Sequence, residues 1–393
     1  MLPKPSVPVD VAPFSEGAVL FWAGGERVWF VNECAATVWH LIKSNSGRAE
    51  ALAIIAGAFS LTPEQAEQNL DIALGGFAAE GLLQGGCPQM ADTRAEVDGV
   101  LERRVAMPHV EPDKWEYERC FGAAATVCMR SQQPSVAARF ALLYAHVLQS
   151  LAARGAHLEI SVLRQGANGW ICGVNGYSCT PVVPERFLLP VLTTILFRQV
   201  VDNLHDCMLF HAAVMVRDGV AFLFPAPSGR GKTTLSAVLA ADGWQLFSDE
   251  LAAVSLVDHS VVAVPLPLSV KSGAVDHLAA IYPDLPDQQE WLRPDGKRIR
   301  YLSLDSDTIL PLATAAPVGS IVFPHYCADG TDELVPVSKT ETLRQLCLSG
   351  SSQRVLTFAD VQAIVAVVER ADCYRMSYTS SEAALRLLGG VEK

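Results

Sequence analysis

Apolar and polar positions alternate near the start of the chain and then recur at helical spacing. Residues 19–31 hold two β-rich runs on either side of Gly24-Gly25, a pattern that predicts a hairpin. The spacing that follows predicts three helices, at residues 33–43, 48–59 and 62–81. Thr62 begins the third of them with a capping box. Residues 1–90 are therefore predicted to form a small winged-helix unit.

The apolar pattern stops after this unit and then returns as a mixture of helix and strand. Residues 91–113 are polar and aperiodic, which predicts a linker. Residues 114–205 carry no recognisable motif, and we interpret them as an α/β scaffold region of the half that follows. The elements predicted there are a helix at 135–154, strands at 158–163 and 169–174, and a helix at 185–204.

The last part of the chain, residues 206–393, begins with two apolar runs that meet at Asp218-Gly219, a strong hairpin turn. The second run leads through a glycine-rich turn into a predicted helix at 233–242. The elements predicted beyond it are a strand at 261–270, helices at 342–347 and 358–370, a strand at 373–378 and a final helix capped by Thr379. The predicted fold class is α/β.

The glycine-rich turn has the composition of a phosphate-binding loop. It reads Ala226-Pro-Ser-Gly-Arg-Gly-Lys-Thr and fits GxxxxGK[ST], except that Ala226 replaces the first glycine and must enter the turn without a positive φ. In such loops backbone amides surround a phosphate, a lysine neutralises its oxygens and a hydroxyl binds Mg²⁺. A chance glycine turn is the alternative. The predicted nucleotide-binding residues are Ser228, Gly229, Arg230, Gly231, Lys232, Thr233 and Thr234.

Two acidic residues, Asp249 and Glu250, end the next predicted strand, within sequence reach of Lys232. Phosphoryl transfer needs charge neutralisation, a Mg²⁺ ion and a group that deprotonates the nucleophile. We assign the base role to Asp249, phosphate binding to Lys232, and Mg²⁺ binding to Thr233 and Glu250, so the expected cofactors are ATP and Mg²⁺. The alternative is that both acids are solvated turn residues.

Composition narrows the class of partner. The 393 residues carry a formal net charge of −12, and half of them are hydrophobic. An acidic chain does not favour nucleic acid, whose phosphates attract basic surfaces. The start of the chain lacks a signal-peptide pattern, and no apolar run has the length of a membrane span. We therefore expect a cytoplasmic protein with no membrane partner.

Ten cysteines are scattered from Cys34 to Cys373 without a CxxC pair. This spacing does not outline a disulfide framework or a zinc site, and we expect most of the cysteines to be small buried residues. None of the nine histidines stands at metal-ligand spacing with a cysteine or another histidine. No structural metal is predicted.

From His211 to Val254 the chain resembles the HPr kinase/phosphorylase superfamily, and more closely its HPr-kinase-related branch. The resemblance lies in His211-Ala-Ala-Val, in the glycine-rich loop and in the run from Gly243 to Glu250. It implies the kinase fold shared with phosphoenolpyruvate carboxykinase, rather than a doubly wound sheet. It also implies that His211 shapes the phosphate site and that Asp249 activates a serine or threonine hydroxyl.

Four candidate residues either depart from the family pattern or have an alternative interpretation. Glu250 stands where HPr kinases usually have a second aspartate, which lengthens the metal-binding arm. Alone, His211 would more often be a satisfied core residue in an apolar strand. Lys271 and Arg300 are candidate contacts to nucleotide or to an acidic peptide, and a solvated charged face is the alternative.

The first 90 residues resemble PqqD-like domains, which recognise the precursors of ribosomally made, post-translationally modified peptides. The resemblance lies in the hairpin, in the run from Asn32 to Ile42 and in Gly81-Leu-Leu. It implies that a leader peptide adds a strand to the hairpin edge, against the third helix. A unit used only for dimerisation or packing is the alternative, and a DNA-binding role is disfavoured because the predicted helices are not basic.

Together the two resemblances imply a kinase that phosphorylates a Ser or Thr hydroxyl of a ribosomally made precursor peptide, with lasso-peptide kinases as a precedent. Residues 1–90 would bind the leader of that peptide and raise the effective concentration of its core. Two other functions stay open: a nucleotide-binding regulatory or scaffold protein that transfers nothing, and a kinase of a small molecule such as an amino acid. A homo-oligomer is also compatible with the sequence.

Overall fold

The computed structural model describes residues 1–88, 106–167, 169–227, 229–305, 307–348 and 356–391. Within these residues the chain has an α/β fold with twenty-one strands in five sheets and eleven α-helices.

The strands are β1 (Asp10–Phe14), β2 (Gly17–Trp22), β3 (Arg27–Asn32), β4 (Tyr117–Phe121), β5 (Val127–Ser131), β6 (Leu158–Gln165), β7 (Gly169–Val174), β8 (Tyr177–Ser178), β9 (Cys207–Phe210), β10 (Ala212–Arg217), β11 (Val220–Pro225), β12 (Gln245–Ser248), β13 (Ala252–Ser255), β14 (Val261–Val262), β15 (Leu268–Lys271), β16 (Trp291–Leu292), β17 (Arg298–Leu302), β18 (Ala315–Ala316), β19 (Val318–Tyr326), β20 (Glu333–Pro336) and β21 (Asp372–Tyr378). The helices are α1 (Glu33–Lys43), α2 (Arg48–Phe59), α3 (Pro63–Ala79), α4 (Pro134–Leu143), α5 (Ala145–Ala153), α6 (Leu188–Asp202), α7 (Lys232–Ala241), α8 (Ser272–Leu278), α9 (Lys339–Leu348), α10 (Phe358–Arg370) and α11 (Ser381–Gly389).

Residues 1–88 form an antiparallel sheet in the order β1-β2-β3, with α1, α2 and α3 packed on one face. The predicted hairpin and the three predicted helices are confirmed, and Thr62 makes the predicted capping box. The sequence pattern missed β1. The name winged helix, and the boundary at residue 90, stay predictions.

The other face of this small sheet packs on the second half of the chain. Phe21 stacks on Phe358 of α10, with ring centroids 6.4 Å apart, and both belong to a cluster that includes the central strands. Glu16, in the turn between β1 and β2, accepts hydrogen bonds from the first two backbone amides of α9 at 2.7 and 2.9 Å. The first 88 residues are therefore docked on the rest of the chain through a shared core.

A sheet in the order β4-β5-β6-β7-β8, covered by α4, α5 and α6, occupies the middle of the chain. The helix predicted at 135–154 is wrong in one respect, because α4 and α5 meet at a 69° bend. The bend lies at Tyr144, a fully buried residue whose hydroxyl is 2.7 Å from the Thr193 hydroxyl of α6. Of the predicted linker at 91–113, only residues 106–113 lie within the described part of the chain.

Among the described helices, none alone is long and apolar enough to cross a membrane, although α4 and α5 taken together meet the criteria of length and composition.

Two predictions about the cysteines need correction. Cys120 and Cys128 are direct partners in the antiparallel pair β4–β5 and form a disulfide, with their Cα atoms 4.1 Å apart. Strand register, which brings them together, is not visible in their spacing. The expectation that most cysteines are buried is also wrong, because only Cys172, Cys207 and Cys373 of the ten are buried.

The sheet that carries the loop has six strands in the order β12-β10-β11-β19-β21-β20. β10 and β11 form the predicted hairpin, whereas β11, β19 and β21 run parallel. Helices α7 and α11 cover one face and α10 covers the other. The glycine-rich turn therefore leaves the carboxyl end of an interior strand, an edge where ligands commonly bind in α/β sheets.

Two further predictions need correction in this half. The strand expected at 261–270 is broken between β14 and β15, because Pro265 and Pro267 have no N–H to give to a sheet. The last helix is capped by Ser380, whose hydroxyl accepts a hydrogen bond from a backbone amide of the first turn, and not by Thr379.

Candidate functional site

The glycine-rich loop joins β11 to α7 in a conformation that needs two of its glycines. Gly229 and Gly231 have φ angles of 90° and 89°, a left-handed region that side chains with a Cβ rarely adopt. Ala226 is not among the residues with positive φ, in agreement with the prediction that it enters the turn in an ordinary conformation. Ser228 lies outside the described residues.

Lys232, the first residue of α7, folds its side chain back under the loop and is only 7% exposed. Its Nζ donates to the carbonyl oxygen of Ala226 at 2.6 Å and lies 2.8 Å from Nε2 of His211, while the carbonyl oxygen of Pro227 is 3.4 Å away. Burial lowers the pKa of Lys232, and the nearby carboxylates of Glu250 and Asp249 oppose that effect.

His211 is not inside a strand, as the sequence suggested, but at the bend where the chain passes from β9 in one sheet to β10 in another. An ammonium group can only donate, so Nε2 accepts from Lys232 and the proton is on Nδ1, which donates to the backbone oxygen of Glu250 at 2.9 Å. Burial and then the charge of Lys232 lower the pKa of His211. The ring is neutral at pH 7.

Asp249 follows β12 and is 5% exposed. Its Oδ2 accepts a hydrogen bond from the hydroxyl of Thr233 at 2.7 Å, and its Oδ1 accepts one from the hydroxyl of Ser236 at 3.0 Å. Burial and the neighbouring charge of Glu250 raise the pKa of Asp249 to about 6, against the opposing effect of the two hydroxyls and Lys232. Sequence reasoning missed Ser236, although it stands one helical turn after Thr233.

Glu250 is the exposed member of the acidic pair, with half of its side chain accessible. One of its carboxylate oxygens lies 3.6 Å from Nδ1 of His211, a contact that becomes an ion pair only if the ring is protonated. Asp249 and Glu250 therefore differ in environment: one is buried against α7, and the other faces solvent and the cavity over the loop.

Three adjoining cavities surround these residues. The loop cavity, of about 230 Å³, is lined by His211, Gly229, Gly231, Lys232, Thr233, Thr234, Glu250, Ser269, Val270, Lys271, Gly273, Ala274 and Arg293. The acid cavity, of about 410 Å³, is lined by Pro190, Thr193, Thr194, Phe197, Ser248, Asp249, Glu250, Leu266, Pro267, Ser269, Arg293, Pro294, Asp295 and Tyr301. The tyrosine cavity, of about 210 Å³, is lined by Gly231, Thr234, Leu235, Val238, Gly273, Ala274, His277, Tyr326, Tyr378, Ser381 and Ala384.

Only some of the basic residues that the sequence suggested as ligand contacts line these cavities. Lys271 lines the loop cavity, whereas Arg300 lines none of the three and is paired with Glu290 at 3.3 Å. Arg293, which the sequence analysis did not select, lines both the loop cavity and the acid cavity. Arg230 lies in the loop, is exposed and lines none of these three cavities.

The oxygen atoms near the loop are of the type that binds Mg²⁺. Within the described residues no group of three or more His, Cys, Asp or Glu side chains is arranged to hold a metal. Mg²⁺ at phosphate sites usually takes one or two protein oxygens and completes its shell with water and phosphate oxygens. The hydroxyl of Thr233, with the carboxylates of Asp249 and Glu250, offers that type of ligand.

Comparisons with known proteins do not assign the chain to a family. No family model matches it, and no curated protein matches it. Among solved structures, it is similar to the HPr(Ser) kinase/phosphatase from Coxiella burnetii, with 12% identity and a TM-score of 0.24 over 47% of this chain and 95% of that one. A TM-score of this size does not establish a shared fold.

Proposed function

We propose that the chain is a phosphotransferase that uses ATP and Mg²⁺ to phosphorylate a hydroxyl group. One observation carries the proposal: Lys232 and Thr233, at the start of α7, lie beside Asp249, which follows β12, next to the loop and acid cavities. A cation, an oxygen ligand for Mg²⁺ and a carboxylate are the groups that phosphoryl transfer requires.

In this proposal Lys232 and the amides of the loop hold the β- and γ-phosphates. Two of the three N–H bonds of the ammonium group go to Ala226 and His211, and the third has only a 3.4 Å contact with Pro227. That third N–H is the one available to a phosphate oxygen. Neutral His211 holds the ammonium in place without adding a charge of its own, so its role is positioning.

Thr233 and Glu250 are the proposed Mg²⁺ ligands, directly or through water. When bound, the ion would neutralise charge on the phosphate oxygens. The hydroxyl of Thr233 donates to the Asp249 carboxylate at 2.7 Å, so the proposed metal ligand and the proposed base are neighbours.

Asp249 is the proposed base. The proton of the acceptor hydroxyl moves to its carboxylate, the hydroxyl oxygen bonds to the γ-phosphorus, and the bond from that phosphorus to the β–γ bridging oxygen breaks to release ADP. A pKa of about 6 keeps the carboxylate ionised at neutral pH while it can still accept a proton. Asp249 lines the acid cavity, which is therefore the proposed entrance for the acceptor.

The acceptor proposed is a Ser or Thr of a ribosomally made precursor peptide whose leader binds to residues 1–90. In the described part of the chain β3 has a strand neighbour on one side only, so its other edge can pair with an added strand. Trp29 of β3 donates to the carboxylate of Glu80, just after α3, at 2.9 Å, and Arg27 lies 3.7 Å from it. These contacts connect β3 to the end of α3, the two elements between which the leader is proposed to lie.

The test is incubation of the chain with ATP, Mg²⁺ and each short peptide that is found encoded near its gene, followed by mass spectrometry. We expect the peptide to gain one phosphoryl group, and we expect Lys232→Ala and Asp249→Asn to abolish the gain. Full activity in either variant removes that residue from the mechanism. Tight binding of peptide and ATP without ADP or phosphopeptide would instead favour the regulatory or scaffold function.

Removing residues 1–90 is a poor test of leader binding, because it would expose the apolar surface of α10 that Phe21 covers. Removing the leader from the peptide leaves the protein intact. We expect a leaderless peptide to be phosphorylated less efficiently, and the free leader to inhibit phosphorylation of the full precursor only. Equal efficiency with and without the leader would contradict leader recognition, whereas no phosphorylation of either peptide would leave the small-molecule kinase as the alternative.

A further inference from the structure

The loop cavity adjoins two other cavities and shares different lining residues with each. It shares Glu250, Ser269 and Arg293 with the acid cavity, and it shares Gly231, Thr234, Gly273 and Ala274 with the tyrosine cavity. The acid and tyrosine cavities have no lining residue in common. A ligand held by the loop therefore has two directions in which to extend.

A nucleoside triphosphate has a reacting end and a nucleoside end. The reacting γ-phosphate belongs beside Asp249 and Glu250, since those residues serve the metal and the acceptor. We propose that the tyrosine cavity binds the base of the nucleotide, an inference that rests on the proposed function and fixes the direction in which the nucleotide lies.

The charges of the two ends support this direction. The loop and acid cavities are lined by Lys232, Lys271 and Arg293, whereas no lysine or arginine is among the residues that line the tyrosine cavity. A nucleotide bound the other way round would place its γ-phosphate where no such cation lines the wall, and its base against the carboxylates of Asp249 and Glu250.

The walls of the tyrosine cavity suit a flat aromatic ligand. Tyr326 and Tyr378 are register partners on the parallel strands β19 and β21, with ring centroids 5.7 Å apart at 57°. Tyr378 is buried at 6% exposure, whereas Tyr326 is 49% accessible and so has surface open to a ligand. Leu235 and Val238 of α7 form an apolar wall of the same cavity.

Gly231 lines both the loop cavity and the tyrosine cavity and has no side chain, so we take the space beside it as the passage between them. A Cβ on Gly231 would lie 3.4 Å from the hydroxyl oxygen of Tyr378 and 4.0 Å from Cβ of Tyr326. On the polar side of the cavity, Nε2 of His277 is 2.9 Å from the hydroxyl of Ser381. This pair can exchange hydrogen bonds with the ring nitrogens and amino group of a base.

The experiment compares two probes that share phosphates and differ in the base: ADP and inorganic pyrophosphate, each titrated calorimetrically with Mg²⁺. Tyr326→Ala should weaken ADP binding by at least about 5-fold, the lower range for the loss of one base–aromatic stack. Pyrophosphate binding should be unchanged. Tyr177→Ala, which truncates a tyrosine of 43% exposure on β8 in another sheet, should change neither affinity.

Two results would overturn the proposal: equal ADP affinity in Tyr326→Ala and wild type, or an equal loss for ADP and pyrophosphate. Failure of the proposed function gives a different result, because wild type would then bind neither probe, or Lys232→Ala would bind both as wild type does. The two failures are therefore separable in one set of titrations.

Discussion

At the scale of single residues, the environment of Asp249 decides when its carboxylate is charged. The side chain is buried, and this burial raises its pKa to about 6, while hydrogen bonds from Thr233 and Ser236 favour the ionised form. Each hydroxyl therefore sets part of the pH range over which a base at this position can work.

The pH dependence of transfer follows from this. Activity should rise with pH through about 6, because the base must be deprotonated to accept the proton of the acceptor. Ser236→Ala removes a donor that stabilises the carboxylate, so the acid limb of the kcat/KM profile should move to higher pH. An unshifted limb in Ser236→Ala would show that another group controls the profile.

Thr233 donates a hydrogen bond to Asp249 and is also a proposed Mg²⁺ ligand. Thr233→Val keeps the volume of the side chain and removes its hydroxyl, so it should raise the Mg²⁺ concentration needed for half-maximal activity by at least about tenfold. Thr233→Ser keeps the hydroxyl and should stay close to wild type. Equal Mg²⁺ requirements in the two variants would contradict the proposed ligand role.

At the scale of elements, α7 has a left-handed glycine at each end. Gly231 precedes its first residue with φ 89°, and Gly243 follows it with φ 88°. Both positions have a left-handed backbone conformation that is strained for any residue with a Cβ. Of the two, only Gly231 lines the loop cavity. They form a matched pair for separating folding from binding.

Gly231→Ala and Gly243→Ala should each lower the free energy of unfolding by about 1–2 kcal/mol, the cost of a Cβ in the left-handed region. Only Gly231→Ala should also weaken ADP binding, because its methyl group enters the passage beside Tyr378. Denaturant unfolding and ADP titration measure the two effects. Equal ADP affinities in the two variants would place the nucleotide elsewhere.

The elements also show what the sequence could predict. α2 and α10 have the predicted bounds, because apolar spacing and caps are local signals. The bend at Tyr144 and the disulfide between Cys120 and Cys128 depend on partners from other elements, which local patterns do not contain. The break in the strand at 261–270 had a local signal, its two prolines, that we did not use.

The site divides in the same way. The loop is a continuous motif, so Lys232 and Thr233 could be selected from their spacing. Arg293 lines the loop and acid cavities only because of the fold. Arg300, in the same basic stretch of sequence, forms an ion pair with Glu290 instead. Charge patterns do not show which face of a strand points at a cavity.

At the scale of the whole molecule, the first 88 residues and the loop-bearing half share a core. The small sheet has apolar residues on both faces, with α1–α3 on one side and α10 on the other. A leader bound to β3 would therefore be held at a fixed place relative to the second half, rather than on a flexible tether. Unfolding of the two parts should be coupled.

Glu16 tests this coupling. Its carboxylate caps α9 across the interface, and despite the opposing effect of burial the amides of Thr340 and Lys339 lower its pKa. Glu16→Ala should cost about 1 kcal/mol of stability, as loss of a helix cap does. Because the pKa is lowered on folding, this difference from wild type should shrink as pH falls through the acidic range.

Ser15→Ala is the control for Glu16→Ala. Ser15 lies in the same turn and donates an exposed hydrogen bond to Glu369, so its loss should lower the free energy of unfolding less than Glu16→Ala does. Denaturant unfolding at several pH values measures both variants. A pH-independent effect of Glu16→Ala, or one no larger than that of Ser15→Ala, would contradict the interface described.

Calorimetric titration of ATP into the protein with and without Mg²⁺ tests the central claim most directly. We expect saturable binding that is stronger with Mg²⁺ and that is lost in Lys232→Met, because the ammonium group under the loop is the principal cation for the phosphates. Equal ATP affinity in Lys232→Met and wild type would contradict the account.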